Sequence, residues 1–126
     1  MEIKDFNPKT AIGAAKPNLS LIPPAAKLHL AAAMMDGAAK YGAYNWRASP
    51  VSMMTYLAGA ERHLCQLLDG EDFDPVSYCH HAAHLMANGA IILDAFSIGN
   101  LIDDRPMPGA GPEMIRSFSA EKKWGP

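Results

Sequence analysis

Around Gly42 the chain reads Gly37-Ala38-Ala39-Lys40-Tyr41-Gly42-Ala43-Tyr44-Asn45-Trp46-Arg47. Cations, tyrosines, an indole and an amide crowd about a glycine. Lysine and arginine hold phosphate oxygens, and aromatic faces hold bases or fix a loop. A second concentration follows: His80, His81, His84 and Asn88 share one arc at helical spacing. Side chains three or four apart on a helix are neighbours, roughly 5–6 Å between Cβ atoms. Neutral imidazole is a metal ligand or a hydrogen-bond donor to phosphate. Carboxylates stand close by in sequence: Glu61, then Glu71 and Asp74 in an acidic connector. Oxygen ligands there suit Mg2+ or Mn2+ better than a structural zinc, for which Cys65 and Cys79 lack the spacing.

Each group also has a plainer structural role. Lys40-Tyr41-Gly42 is how many helices end. Glu71 and Asp72 complement the positive N-terminus of a following helix, and Asp74 is a natural N-cap for it. His29, Asp36 and Lys40 share an arc that is either a solvent face or the wall of a cleft.

The elements that must carry these groups are helical. Residues 1–24 read as an extended arm, because Pro8, Gly13, Pro17, Pro23 and Pro24 block a long helix. Alanine, leucine and methionine dominate 25–40, a high-propensity helix. A loop follows through Ser49-Pro50. A second helix is expected over 52–68, capped by Ser52, with its apolar stripe at Met53, Leu57, Ala60, Leu64 and Leu67. On a 100° wheel Glu61 falls inside that stripe, where a carboxylate needs a partner or a metal. His63 lies at its edge and Arg62 points to the other side. A third helix, apolar nearly all round and therefore central, is expected over 76–98. The tail, 99–126, is irregular save for a short helix near 113–122. No strand alternation is visible. The fold class is all-α: a small helical bundle of three main helices with an irregular arm and tail, in one domain spanning 1–126.

Composition narrows the classes. The chain has 126 residues and a formal net charge of −2, with no basic run. A sequence-independent grip on nucleic acid is excluded on that ground, whereas a phosphate ligand needs only a few local cations. Two cysteines without a CxxC fit a reducing cytoplasm. No apolar run reaches membrane length. Hydrophobic residues make 49 % and charged ones 19 %, so apolar surface is expected to be hidden between subunits of a homo-oligomer, dimer or tetramer.

Several segments then occur in a telling order: Lys16-Pro17-Asn18-Leu19-Ser20-Leu21-Ile22-Pro23-Pro24, Gly37 through Arg47, Arg62-His63, Gly70-Glu71, Asp74-Pro75, and His81-x-x-His84 with Asn88. From about Lys16 to Asp94 the chain resembles the dATP/dGTP diphosphohydrolase family of bacteriophages, related to the MazG-like all-α nucleotide pyrophosphohydrolases. Lys-Tyr-Gly-x-x-Asn-Trp-Arg is the strongest part of the likeness. The resemblance implies an oligomeric MazG-like bundle in the cytoplasm, that of the host if phage-encoded. It implies hydrolysis of dGTP or dATP between the α and β phosphates, giving the monophosphate and pyrophosphate. Some such enzymes supply dGMP for 2-aminoadenine DNA. Departures are visible. MazG-like enzymes carry Glu-x-x-Glu and Glu-x-x-Asp helices, whereas here Glu61 stands alone on its helix and histidines occupy the next. His80 stands where the family usually has proline.

On this reading Glu61, Glu71, Asp74, His81 and His84 are candidate metal ligands. Lys40 and Arg62 join Glu61 and Glu71 as catalytic candidates. Lys16, Lys40, Tyr41, Asn45, Trp46, Arg47, Arg62, His63 and Asn88 are candidate contacts to a purine deoxynucleoside triphosphate. Two other classes compete. An HD-type metal phosphohydrolase would need an adjacent His-Asp pair, which the chain lacks. A non-enzymatic helical interaction module would use its many methionines as an adaptable surface.

Overall fold

The computed structural model describes residues 4–118. Its helices are α1 (Pro8–Ala14), α2 (Pro24–Tyr41), α3 (Asn45–Ala48), α4 (Met53–Leu68), α5 (His81–Ser97) and α6 (Gly111–Ser117). Two short strands, β1 (Val51–Ser52) and β2 (Leu101–Ile102), complete the described elements. The chain is therefore mostly helical, a small all-α fold in which α2, α4 and α5 are the long members.

Local chemistry sets the ends of these helices. Pro24 opens α2 at a position that needs no N–H donor. Gly42, at φ 89°, closes it and donates its N–H to the Ala38 carbonyl at 2.9 Å. Only glycine adopts that backbone freely. Ser52 caps α4 as expected, its Oγ accepting from the Thr55 N–H. Asp104, from beyond β2, accepts from the Met54 N–H at 2.9 Å and also bonds the Ser52 hydroxyl. The start of α4 is thus tied to the chain that leaves α5. Val51 and Leu101 pair in parallel just above this tie.

Helix α5 packs between the other two. Against α2 it offers Ala83 and Ala87, which bury with Ala33 beside Leu30 and Met34. Against α4 it offers Asn88, whose Oδ1 would lie 3.2 Å from a Cβ placed on Gly59. Small residues at both seams let the backbones approach closely, so the three helices form one layer with α5 in the middle.

Several expectations are corrected. The arm is not wholly extended, since α1 and a 3-10 turn at Leu19–Leu21 form within it. The third helix begins at His81, not Val76. His80 is its N-cap, with Nδ1 accepting from the Ala82 N–H at 3.0 Å. Asp74 therefore does not cap α5. It turns the connector instead, accepting from the Val76 N–H at 2.9 Å while its carbonyl receives the Tyr78 N–H at 2.8 Å. Asn45–Ala48 folds into α3 inside the expected loop, and β1 pairs with β2 where no strand was expected. Of the expected last helix, α6 covers Glu113–Ser117, and residues 119–122 lie outside the described residues.

Glu61 is exposed. The buried point of α4 is Gly59, and a residue two positions on lies about 200° round the helix from it. The stripe at Met53, Leu57, Ala60 and Leu64 was centred too far toward the outer face. The Gly59 seam makes a test: Gly59→Val overpacks against Asn88 and is expected to cost about 1–3 kcal/mol in urea denaturation, whereas Gly37→Ala, with open space around its Cβ, is expected to raise stability by about 0.5–1 kcal/mol.

Candidate functional site

A cleft of about 800 Å³ opens between α2 and α4, with α5 as its floor. The packing creates it directly, because α2 and α4 each lean chiefly on α5. One end is aromatic, walled by Tyr41, Tyr44, Asn45, Trp46 and Tyr56. Asn45 and Tyr56 share a side-chain hydrogen bond there. The other end carries Arg62, His63, Asp74, His84 and Asn88. A shallower groove, bordered by Glu61, Cys65 and Gln66, meets the same Arg62, His63 and Asp74 from a second side.

Behind the polar end stands His81, the largest fully buried side chain at 0 % exposure. A buried imidazole costs several kcal/mol unless both nitrogens are satisfied. Here Nε2 meets Glu71 Oε1 at 2.8 Å and Nδ1 meets His63 Nδ1 at 2.9 Å. A carboxylate only accepts, so Nε2 carries the proton and Nδ1 presents a lone pair toward His63. His63 stacks on His84, with ring centroids 4.4 Å apart. His84 Nε2 in turn bonds Ser77 Oγ at 2.7 Å and lies 4.0 Å from Asp74 Oδ2. Ligand atoms of His63, Asp74 and His81 all fall within 4.8 Å of one another.

Electrostatics favour lone pairs at this end. Burial pushes His63 below the usual histidine range, and the neighbouring His84 and His81 push it the same way. Burial also lowers His84. Asp74 is held below the usual carboxylate range chiefly by the Val76 N–H, with His84 assisting. At neutral pH the cluster is two neutral imidazoles, His63 and His84, facing an ionised carboxylate.

The three residues suit a metal ion by donor chemistry. Glu71 fixes the tautomer of His81 as an outer carboxylate does for a metal-bound histidine. Two imidazole nitrogens with one carboxylate oxygen are a set for a transition ion.

The candidates from the sequence separate accordingly. Asp74 and His81 meet in the cluster, and Glu71 stands behind His81 as its orienting partner. His84 packs against the cluster through His63. Glu61 borders the outer groove together with His63 and Asp74, but its carboxylate is not among the converging ligand atoms. Lys40 lines the cleft, held to Asp36 at 2.9 Å, which raises its pKa. Tyr41, Asn45, Asn88 and Arg62 also line it. Arg62, expected on the far side of α4, returns to the cleft, with Nη2 3.7 Å from a Cβ placed on Gly59. Lys16 is exposed beyond α1 and does not line the cleft.

Trp46 and Arg47 serve the wall. The Trp46 indole donates to Asp94 Oδ2 at 2.6 Å. Arg47 grips Asp94 through Nε at 2.8 Å and Nη2 at 3.0 Å, and lies over the Tyr44 ring. These bonds, Arg47 first, bring Asp94 down to about 2. Asn100 adds bonds to the Trp46 and Arg47 carbonyls. α3 is thereby pinned to the end of α5. Sequence reasoning missed Asp94 and Tyr56, and gave His63 only a substrate-binding role. A lone aspartate inside the apolar α5 run was the available signal for the first.

Residues 6–105 match the family model described as dATP/dGTP diphosphohydrolase, N-terminal. No curated protein and no solved structure matches the chain.

The histidine shifts fix a pH response. The unfolded chain protonates these imidazoles near about 6.5, while the folded chain resists until lower pH. Between those values the unfolded state binds more protons, so stability falls as pH falls. Urea midpoints of the metal-free protein are expected to be level from pH 8 to about 7 and to drop between about 6.5 and 5, above the carboxylate range. A level midpoint across that lower window would contradict the burial of His63 and His84.

Proposed function

This chain belongs to the dATP/dGTP diphosphohydrolase family, and on that premise we propose that it hydrolyses dGTP or dATP to the monophosphate and pyrophosphate. The observation that carries the reading is the cleft itself. Its aromatic end is built to hold a base, and its histidine–carboxylate end lies a short reach away along one channel.

The nucleobase would lie among Tyr41, Tyr44 and Tyr56, with the Asn45 amide near its edge. The triphosphate would run toward His63. Arg62 has no partner of its own among the described hydrogen bonds and ion pairs, so its guanidinium is available for phosphate oxygens. Lys40 adds charge at the rim. A divalent cation held by His63, Asp74 and His81 would neutralise the phosphates and lower the pKa of the attacking water. In the reaction a new bond forms from water oxygen to the α-phosphorus. The bond from that phosphorus to the α–β bridging oxygen breaks, and the electron pair leaves with pyrophosphate. The proton from water passes to a neutral base, for which His84, low in pKa and at the cleft surface, is suitably placed. Glu71 holds His81 in one tautomer throughout.

Product analysis tests the reaction. Incubated with Mn2+ and dGTP, the protein should release dGMP and pyrophosphate in equal amounts. Triphosphate with deoxyguanosine, or orthophosphate, would mark another hydrolase. Excess dCTP should compete poorly if the aromatic end selects purines.

A second prediction concerns Glu71. Glu71→Gln keeps the shape but weakens the hold on His81 Nε2. Turnover is expected to fall about 10–100-fold with the circular dichroism spectrum unchanged. Full activity in this variant would remove the Glu71–His81 pair from the mechanism.

A further inference from the structure

Tyr44 holds a position that local chemistry assigns to other residues. It lies at φ 55° and ψ 31°, in the left-handed region, immediately before α3. A bulky side chain is a rare occupant there, whereas glycine and asparagine enter it easily. The same position is the N-cap of α3, where asparagine, serine or aspartate would bond a free N–H. The Tyr44 side chain makes no such bond. Nor does the family likeness ask for tyrosine, since Lys-Tyr-Gly-x-x-Asn-Trp-Arg leaves the two residues after Gly42 open. A strained backbone and a forgone cap leave the ring itself as the reason for this residue.

Strain alone marks no function, for Tyr78 shares it at φ 61° outside the cleft. Tyr44 differs in what stands behind it. Arg47 Cζ lies 4.3 Å from the centroid of its ring. The Trp46 ring packs beside it, with centroids 5.3 Å apart and planes tilted by 47°. Both neighbours are anchored on one carboxylate, Asp94, which accepts from the Trp46 indole and from two nitrogens of Arg47. Tyr44 and Trp46 line the cleft and Arg47 does not, so the cation stands on the side of the ring turned away from it. Tyr44 is nevertheless 57 % exposed. The ring is thus fixed in orientation and bare toward the cleft. Among the described residues no ring or cation backs Tyr41 or Tyr56 in this way.

We propose that Tyr44 is the platform on which the nucleobase stacks, and the residue that sets a preference for purines over pyrimidines. The inference rests on the reading of the cleft as a nucleotide site. Stacking strengthens with overlap, and a bicyclic purine covers more of a phenol ring than a pyrimidine does. Arg47 adds to this, because a cation behind the ring draws π density toward itself and leaves the front face less repulsive to the π cloud of a base. A ring held in place also loses little freedom when a ligand settles on it. The histidine–carboxylate end offers no such discrimination, since the triphosphate is common to all the substrates.

Turnover of dGTP and of dCTP with Mn2+ tests it in two variants. Tyr44→Asn removes the ring and suits the left-handed backbone. Its kcat/KM for dGTP is expected to fall about 10–100-fold, mostly through KM. The loss for dCTP should be smaller, so the ratio between the two narrows. Tyr44→Gly, equally at ease in this backbone, should behave alike. Tyr44→Phe keeps the ring and should recover the ratio. A ring that merely shields the Arg47–Asp94 pair would give another pattern: a lower melting temperature in Tyr44→Asn with the ratio unchanged. That pattern overturns the proposal, as does a wild-type protein indifferent to the base. If the wild type releases pyrophosphate from neither nucleotide, the hydrolytic reading fails by itself, and calorimetric binding of dGMP and dCMP decides the role of Tyr44. A preference for dGMP that Tyr44→Asn loses sustains it. No binding, no preference, or a preference that the variant retains overturns it.

Discussion

A single buried imidazole holds this structure to one arrangement. His81 begins α5 at the point where the connector, α4 and α5 converge, and water does not reach it. Leaving either ring nitrogen unmatched there would cost more than one ordinary hydrogen bond returns. Glu71 must therefore come to Nε2 and His63 to Nδ1. The first bond folds the connector back over the helix start. The second sets the rotation of α4. Supporting bonds follow the same route, with the His81 N–H donating to the Asp72 carbonyl and the Asp74 N–H to the Cys79 carbonyl. The need to satisfy one side chain thus brings Asp74 beside His63.

Small residues make the rest possible. Ala33, Ala83 and Ala87 at one seam and Gly59 at the other keep α2 and α4 close to α5 without filling the space above it. Larger side chains would brace the layer better and close the cleft. The same economy leaves the back of the layer bare. A cleft on one side and an uncovered apolar face on the other are consequences of a single choice of side-chain size.

The three long helices were legible in the sequence because propensity, period and caps agreed: Pro24 and Gly42 bound α2, and Ser52 opens α4. The start of α5 was not. Val76 to His80 follows Pro75 as a helix start does, but it holds no strong helix former, the backbone hydrogen bonds of Asp74, Tyr78 and Cys79 close a turn there first, and His80 supplies the cap. Glu61 was misplaced because a wheel centred on large apolar residues ignores glycine, and Gly59 marks the buried line. The cluster was half legible. Spacing brought His81 and His84 together, and the acidic connector pointed to Asp74. The approach of His63 depends on how α4 is rotated about its axis, which no local pattern encodes. That Trp46 and Arg47 also hold the wall together was not legible, because their partner, Asp94, lies far along the chain.

Charge then limits what the cleft does unaided. Its formal charges are Asp36 with Lys40, and Asp74 with Arg62, so they cancel in pairs. His63 and His84 add nothing at neutral pH, since burial keeps both imidazoles uncharged. Arg47 brings no help, being committed to Asp94. A nucleoside triphosphate enters with several negative charges and meets a site of no net charge. Each neutral imidazole keeps one N–H, but its lone pair binds a cation and repels a phosphate oxygen. The groups that look least suited to a polyanion become suited to it once a divalent cation stands between them. If the chain hydrolyses a nucleoside triphosphate as proposed, this balance of charge favours a metal and a nucleotide bound together at His63, Asp74 and His81 over the bare triphosphate.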